Sequence, residues 1–247
     1  MSGRLGQEVA LLGHLNEERV TSQTFEGTLA ALRRLGIDHA LFKLLSGLPS
    51  TTPTYIVGGL PRDVVFSNFT GMVHSPKDVD IVIDTDVLEP LMQRVTGAVS
   101  RTPLGGFKWT PLGSDISIDI WQLRDTVWIK AYGLQPTIES FLAGVDLNVD
   151  RIAVGLHDQS VNDVDCRRAF LGGTIHRDGL HPVDSLRMDE YARALMASHK
   201  THLRLSNECL SEISRMGNSF YPRAVKRLSF DGYLESQVKE AFDRIQT

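Results

Sequence analysis

Two segments of the chain alternate hydrophobic and polar residues, and each therefore predicts a strand that buries one face. In the first segment, Val79, Ile81 and Ile83 alternate with Asp78 and Asp80. Because successive side chains of a strand point to opposite faces, both carboxylates project from the same face, with Cα atoms about 7 Å apart. The first segment therefore predicts a strand with a paired-carboxylate face.

The second alternating segment covers residues 114–123. Its isoleucines alternate with a polar row that consists of Asp115, Ser117 and Asp119. This pattern predicts a half-buried strand with an acidic face. Asp119 is therefore the best candidate for a third carboxylate close to Asp78 and Asp80.

Hydrophobic residues at helical spacing predict helices on both sides of these strands. Before the strands, the pattern consists of a stripe at Leu5, Val9 and Leu12, a second stripe at Phe25, Leu29 and Leu32, and a short helix at 38–45. After them, helices are expected at 85–96, 165–171 and 182–198, and over most of 201–247 with breaks near Gly217 and Gly232. Further strands are expected at 55–57, 107–110 and 174–176, with a hairpin turn at Gly105 and Gly106.

The segment before the first acidic strand has a design that suits phosphate. The strand at 55–57 ends in Gly58 and Gly59, whose backbone N–H groups are not shielded by a Cβ. Pro61 at the first helical position begins a helix, and the N-terminus of a helix favours anions. Arg62 adds a forked cation. A glycine pair after a strand is by itself most often a simple turn, and only its combination with the acidic strands indicates a site.

Carboxylates held together on a sheet face require a cation. Hard oxygen ligands favour Mg²⁺, which usually enters a protein site together with substrate phosphates. The sequence therefore predicts a magnesium site at Asp78, Asp80 and Asp119.

Composition narrows the class of protein without identifying it. The chain has 247 residues, a formal net charge of −4 and a pI near 6.1, which argues against a protein that coats nucleic acid through general positive charge. Cys166 and Cys209 lack metal-ligand spacing and are predicted to be buried free thiols, as in a reducing cytoplasm. No stretch has the length of a membrane span, and Arg4 and Glu8 precede any apolar run, so we expect neither a transmembrane helix nor a signal peptide.

The motifs Ile56-Val57-Gly58-Gly59, Arg62-Asp63 and Asp78-Val79-Asp80-Ile81-Val82 resemble those of a known family. They are similar to the head domain of class II tRNA nucleotidyltransferases, the CCA-adding enzymes and bacterial poly(A) polymerases. The resemblance covers roughly residues 55–196. It implies an α+β fold, a polymerase-β-like nucleotidyltransferase head in which helices back a small mixed sheet. It also implies that the aspartates hold Mg²⁺ and that the glycine turn holds the triphosphate, with Asp63 as a partner of Arg62 or a helix-cap acid.

A later segment, 144–163, resembles the family motif that contacts the nucleotide sugar, but only in part. Asp146 falls on the family's ribose-contacting aspartate. Gly144 and Val145 stand where the family has two arginines, and Asp150 stands where it has an asparagine. Arg151 is the candidate to replace some of this lost positive charge.

Asp184 and Arg187 resemble the family pair that reads the Watson–Crick edge of the incoming base, although Val183 replaces the preceding glutamate. A carboxylate acceptor and a guanidinium donor match cytosine or adenine, so this reading predicts a preference for CTP and ATP. The alternative is an ordinary salt bridge within a helix.

Three regions are expected: a helical N-terminal extension (1–53), the nucleotidyltransferase head (54–180) and a basic helical neck (181–247). The resemblance implies a function in template-independent transfer of a nucleoside monophosphate to an RNA 3′ hydroxyl, most simply a tRNA end, with pyrophosphate release. Two alternatives stay open: a protein or small-molecule acceptor, and a head that binds nucleotide or RNA without catalysis.

Overall fold

Seven strands form one mixed sheet in the part of the chain that the computed structural model describes, residues 17–179, 187–230 and 233–245. The strands are β1 (Thr54–Val57), β2 (Asp78–Ile83), β3 (Gly97–Arg101), β4 (Phe107–Pro111), β5 (Ser117–Gln122), β6 (Ile152–Gly155) and β7 (Val161–Asp163). Their order is β3-β4-β5-β2-β1-β6-β7. The β2–β5 pair is parallel and its neighbours are antiparallel.

Helices precede, connect and follow these strands. They are α1 (Glu17–Arg34), α2 (Asp38–Leu45), α3 (Gly59–Thr70), α4 (Leu88–Met92), α5 (Val127–Tyr132), α6 (Ile138–Gly144), α7 (Cys166–Gly172), α8 (Arg187–Thr201), α9 (Asn207–Met216), α10 (Phe220–Phe230) and α11 (Glu235–Ile245). A small parallel pair, β8 (Thr174–Ile175) and β9 (Arg204–Leu205), joins the head to the C-terminal helices. The architecture confirms the predicted α+β class.

One face of the sheet is fully apolar where it meets the N-terminal helices. Ile56, Ile81 and Ile118 share a buried cluster with Leu32 of α1 and Leu41 of α2. The hydrophobic rows predicted for β2 and β5 are therefore confirmed as the packed face. The N-terminal helices contribute to the same core as the sheet, and the domain boundaries remain a prediction.

The opposite face of the sheet is divided. Towards the ends of β2 and β5, Val57, Val82 and Ala153 pack beneath Ile129 of α5 and Phe141 of α6. Towards the starts of β2 and β5, polar side chains replace the apolar ones on this face. The divided face leaves one open, charged area beside a covered, apolar one.

Local structure differs from the sequence predictions at several places. The helix predicted at 85–96 is wrong in extent, because α4 begins at Leu88 and thereby keeps Pro90 in its first turn, where no backbone N–H donor is needed. Strand β3 was not predicted, because all five of its residues are exposed and give no hydrophobic alternation. Pro61 is the third residue of α3 rather than the first, since that helix begins at Gly59.

Other predictions are confirmed. The short helix at 38–45 has the expected bounds, the turn at Gly105 and Gly106 connects the antiparallel pair β3–β4, and Cys166 and Cys209 are buried free thiols. The stripe at Leu5, Val9 and Leu12 lies outside the described residues, as does the start of the helix predicted at 182–198. No helix in the described ranges is long and apolar enough to cross a membrane.

Candidate active site

The pairing of β2 with β5 brings the predicted carboxylates together. In this parallel register Asp80 lies opposite Asp119, and Asp78 lies opposite Ser117. Neighbouring strands are about 4.8 Å apart, so the side chains of Asp80 and Asp119 are direct neighbours on the open part of the sheet face. We call Asp78, Asp80 and Asp119 the acidic row.

The three carboxylates of the acidic row repel one another. Burial, followed by the negative charges of Asp78 and Asp119, raises the pKa of Asp80 to about 8. Arg193 of α8 opposes this rise, and Asp150 adds to it. A cation placed at the row would therefore stabilise the ionised carboxylates.

Lys108 of β4 faces the acidic row and was missed by the sequence reasoning. Its Nζ lies 2.8 Å from Oδ2 of Asp119 and 3.4 Å from the Ser117 hydroxyl oxygen. Burial lowers the pKa of Lys108, but the hydrogen bond and charge of Asp119 outweigh it, so the net shift is upward. A signal was present, because buried Phe107 and Trp109 alternate with Lys108 and predict that it shares the polar face.

The carboxylate oxygens of the acidic row are suitable ligands for a divalent cation that binds together with phosphate. Oδ1 of Asp119 is buried and has no hydrogen-bond partner among the described residues, while Oδ2 contacts Lys108. Within the described residues, no group of three or more His, Cys, Asp and Glu side chains is arranged so that it could hold a metal ion. Mg²⁺ commonly uses one or two protein carboxylates together with substrate phosphates, so three preformed protein ligands are not required.

The glycine turn lies against the acidic row. Gly58 has φ +71°, and a Cβ at this position would lie 3.0 Å from Oδ2 of Asp80. Glycine therefore allows the backbone to approach this carboxylate closely. Gly59 is the first residue of α3, which directs the N-terminus of this twelve-residue helix towards the same area. This geometry is compatible with the predicted triphosphate contact, which stays a prediction.

Arg62 is buried behind the glycine turn and is held by two carboxylates. Its Nε donates to Oδ1 of Asp63 at 2.9 Å, and its Nη1 donates to Oδ1 of Asp150 at 2.7 Å. Of the two roles that the sequence left open for Asp63, the structure has it as a partner of Arg62. Asp150, which stands in place of the family's asparagine, is the second partner.

Arg151 is also buried and paired. Its Nε donates to the Val145 carbonyl oxygen at 2.9 Å, and its guanidinium lies 3.0 Å from Asp165 and 2.5 Å from Asp178. The N–H groups of Arg151 therefore donate to acceptors within the protein, as in a side chain that stabilises the fold. Its predicted nucleotide contact remains untested. We call Arg62 and Arg151, with their carboxylate partners Asp63, Asp150, Asp165 and Asp178, the paired cluster.

The other predicted nucleotide contacts are only partly described. Oδ2 of Asp146 lies 2.8 Å from Nε of Arg177, and both side chains are largely buried. Asp184 lies outside the described residues, and Arg187 begins α8 without a described side chain. The sugar contact and the base-reading pair therefore remain predictions.

Comparison with known proteins supports the fold. No family model matches the sequence, and no curated protein matches it either. Among solved structures, the chain is similar to a CCA-adding enzyme in its apo form I, with TM-score 0.57 and 18% identity over 87% of this chain and 53% of that one. A tRNA-processing enzyme (apo form 2) gives TM-score 0.56 and 18% identity over 83% and 57% of the two chains.

A third similar structure is a tRNA nucleotidyltransferase complexed with a primer tRNA and an incoming ATP analog. It gives TM-score 0.55 and 19% identity over 84% of this chain and 60% of that one. The chain thus spans little more than half the length of these three structures. The likeness confirms the predicted head fold, in which helices back a mixed sheet.

Proposed function

We propose that this chain is a metal-dependent nucleotidyltransferase that moves a nucleoside monophosphate from CTP or ATP to an RNA 3′ hydroxyl. The simplest acceptor is a tRNA end, and pyrophosphate is released. The observation that carries this proposal is the register of Asp80 opposite Asp119, with the Gly58 turn against the Asp80 carboxylate. Similar solved structures contain tRNA with an ATP analog, and others contain ATP or CTP.

Asp78, Asp80 and Asp119 would hold Mg²⁺ in this reaction. When bound, Mg²⁺ supplies positive charge that favours ionisation of an attacking hydroxyl and stabilises a leaving pyrophosphate. The carboxylates themselves fix where the 3′ hydroxyl and the α-phosphate can meet. The side-chain positions are set by the buried rows of β2 and β5, which supports a rigid reaction site.

The glycine turn would bind the triphosphate through backbone N–H groups. Gly58 and Gly59 provide this exposed backbone, and the start of α3 adds a favourable dipole. Arg62 lies behind the turn, where Asp63 and Asp150 fix its orientation and offset its charge. We assign Arg62 to shaping the turn that binds the triphosphate.

Asp146 would contact the ribose, and Asp184 and Arg187 would read the base. Arg151 supports this arrangement by holding the carbonyl of Val145, the residue that precedes Asp146. Hydrogen bonds to the base should discriminate by about 1 to 3 kcal/mol each, because a mismatched base leaves buried polar groups unpaired. This predicts that CTP and ATP are preferred over GTP and UTP.

A different acceptor is the second candidate. Gly144 and Val145 stand where the resembled family has arginines, so the nucleotide and RNA contacts of this chain differ from the family pattern. A protein side chain or a small molecule could then accept the nucleotide. A head that only binds nucleotide is disfavoured, since binding phosphate does not require three neighbouring carboxylates.

The test is to incubate the protein with each α-labelled NTP, Mg²⁺ and total RNA, and to determine which molecule becomes labelled. We expect labelled RNA with CTP and ATP, and loss of labelling by about a thousandfold or more in Asp80→Asn. Asp115→Asn is the control, because Asp115 precedes β5, the strand that carries Asp119, but is exposed. Label on protein or a small molecule would support the second candidate, and no label with any NTP would contradict transfer altogether.

A further inference from the structure

Lys108 places a positive charge inside the area where a metal ion would bind. The β4–β5 register puts Lys108 directly opposite Asp119, while the β2–β5 register puts Asp80 on the other side of Asp119. Asp119 therefore lies between a lysine and an aspartate. Its Oδ2 contacts the lysine ammonium at 2.8 Å, and in the described part of the chain its Oδ1 has no hydrogen-bond partner.

We propose that Lys108 competes with the metal ion for Asp119, so that a metal ion alone binds weakly and nucleotide phosphates are needed for full occupancy. This inference rests on the proposed function, because it concerns the same site. It adds a residue that sets the order of binding. Lys108 acts here on the metal site and is not assigned to the chemical step.

The competition follows from charge and geometry. An ammonium and a divalent cation at neighbouring positions repel each other, and this repulsion is strong in a partly buried site. The Lys108 side chain is 44% exposed, so its flexible stem can carry the ammonium away from Asp119 into solvent. A triphosphate adds negative charge to the site, and its oxygens can then accept hydrogen bonds from the Lys108 ammonium in place of Asp119.

The lysine also explains how the acidic row is tolerated without a metal. Asp78, Asp80 and Asp119 repel one another, and Lys108 offsets part of this repulsion through its contact with Asp119. The same contact that stabilises the metal-free protein must weaken when a metal ion uses Asp119. Stability without metal and affinity for metal are therefore opposed at this residue.

The test measures Mn²⁺ binding by electron paramagnetic resonance, with no nucleotide present. We compare wild type with Lys108→Met, which keeps an apolar stem and removes the charge, and with Lys108→Arg, which keeps the charge. We expect Lys108→Met to bind Mn²⁺ about tenfold more tightly and Lys108→Arg to remain close to wild type. Lys130→Met is the control, because Lys130 forms an exposed pair with Asp125 at 2.7 Å.

A second titration is done with a non-hydrolysable NTP analogue. We expect the advantage of Lys108→Met to shrink to less than about threefold, since the phosphates supply the missing negative charge. Lys108→Thr, which suits a strand, repeats the measurement if the methionine variant does not fold. Circular dichroism checks that each variant is folded.

The outcomes separate this inference from the proposed function. Equal or weaker Mn²⁺ binding by both Lys108→Met and Lys108→Thr, with wild-type binding intact, overturns the competition and leaves the metal site standing. Absence of Mn²⁺ binding in wild type and in the charge-removing variants, with and without nucleotide, overturns both. A tenfold gain that also occurs in Lys130→Met would show a general charge effect and would overturn the assignment to Lys108.

Discussion

The paired cluster and the acidic row are adjacent but organised in opposite ways. In the paired cluster each buried arginine contacts two carboxylates, so each buried positive charge has partners within the protein. In the acidic row three carboxylates share one face, and Lys108 contacts one of them. Asp150 connects the regions, because it pairs with Arg62 and also helps to raise the pKa of Asp80.

The difference separates structural from functional charge. A buried charge with matched partners has its electrostatic requirements met inside the fold, so removing one partner should primarily reduce stability. A crowded set of like charges is unfavourable for the fold alone and becomes favourable when an external cation binds. Three predictions test this separation.

The largest effect is expected in the paired cluster. Arg151→Met should lower the free energy of unfolding by about 3 kcal/mol, because it leaves the partly buried Asp165 without its buried partner. Arg168→Met is the matched control, since Arg168 contacts the other oxygen of Asp165 at 2.9 Å but its side chain is 83% exposed, against 7% for Arg151. The control should change stability by less than about 0.5 kcal/mol.

Urea unfolding of both variants measures these values. If the two arginine variants lose the same stability, burial of Arg151 does not strengthen its pairing with Asp165. The contrast between the paired cluster and the acidic row would then be wrong.

The second effect concerns pH in the presence of a chelator. The folded-state pKa of Asp80 is raised to about 8, whereas an aspartate in the unfolded chain has a pKa near 3.9. Between these values the folded protein retains a proton that the unfolded chain has lost, so stability falls as pH rises. The loss from this group is at most about 1.4 kcal/mol per pH unit, and we expect about 2 kcal/mol between pH 6 and pH 8.

Asp80→Asn should remove this pH dependence and should be more stable than wild type at pH 8. The free energy of unfolding, measured by urea titration from pH 5 to pH 9, tests both statements. Asp115→Asn should retain the wild-type slope. A slope in Asp80→Asn equal to that of wild type would place the pH effect on other groups.

The smallest difference between a variant and its control is expected at the glycine turn. Gly58→Ala should cost about 2 kcal/mol, because it combines a positive φ with a Cβ 3.0 Å from the Asp80 carboxylate. Gly71→Ala should cost only about 1 kcal/mol, since Gly71 has φ +72° but nothing within 4 Å of the added Cβ. Thermal unfolding and the labelled-NTP assay are measured on both.

Only Gly58→Ala should also reduce nucleotide transfer, because only that methyl group lies against the acidic row. Equal transfer by the two alanine variants would mean that the close approach of the turn to Asp80 has no role in the reaction.

The sequence predicted the parts of the site that depend on local pattern. Alternation fixed the faces of β2 and β5, and the same signal was available for Lys108. It could not show that Lys108 lies opposite Asp119, because that contact depends on the order of strands in the sheet. The phosphate contact predicted for Arg62 stays a prediction, and its pairing with Asp150 could not be seen in the sequence, because Asp150 lies 88 positions away.

Other parts of the fold gave weak local signals. Strand β3 is exposed along its whole length, so it has no hydrophobic row to detect. Helices α5 and α6 are each less than two turns long, so they are too short to show a clear hydrophobic period. They are stabilised by packing on Val57, Val82 and Ala153. Their existence depends on the sheet that they cover.

The parallel pairing of β2 with β5 has a consequence for how the protein folds. Asp80 and Asp119 are about 40 positions apart in the sequence, whereas β3, β4 and β5 can pair through short connections. Long-range and parallel pairings form slowly, because chain entropy is lost before contacts compensate for it. We therefore expect the acidic row to form late in folding, when β2 pairs with β5.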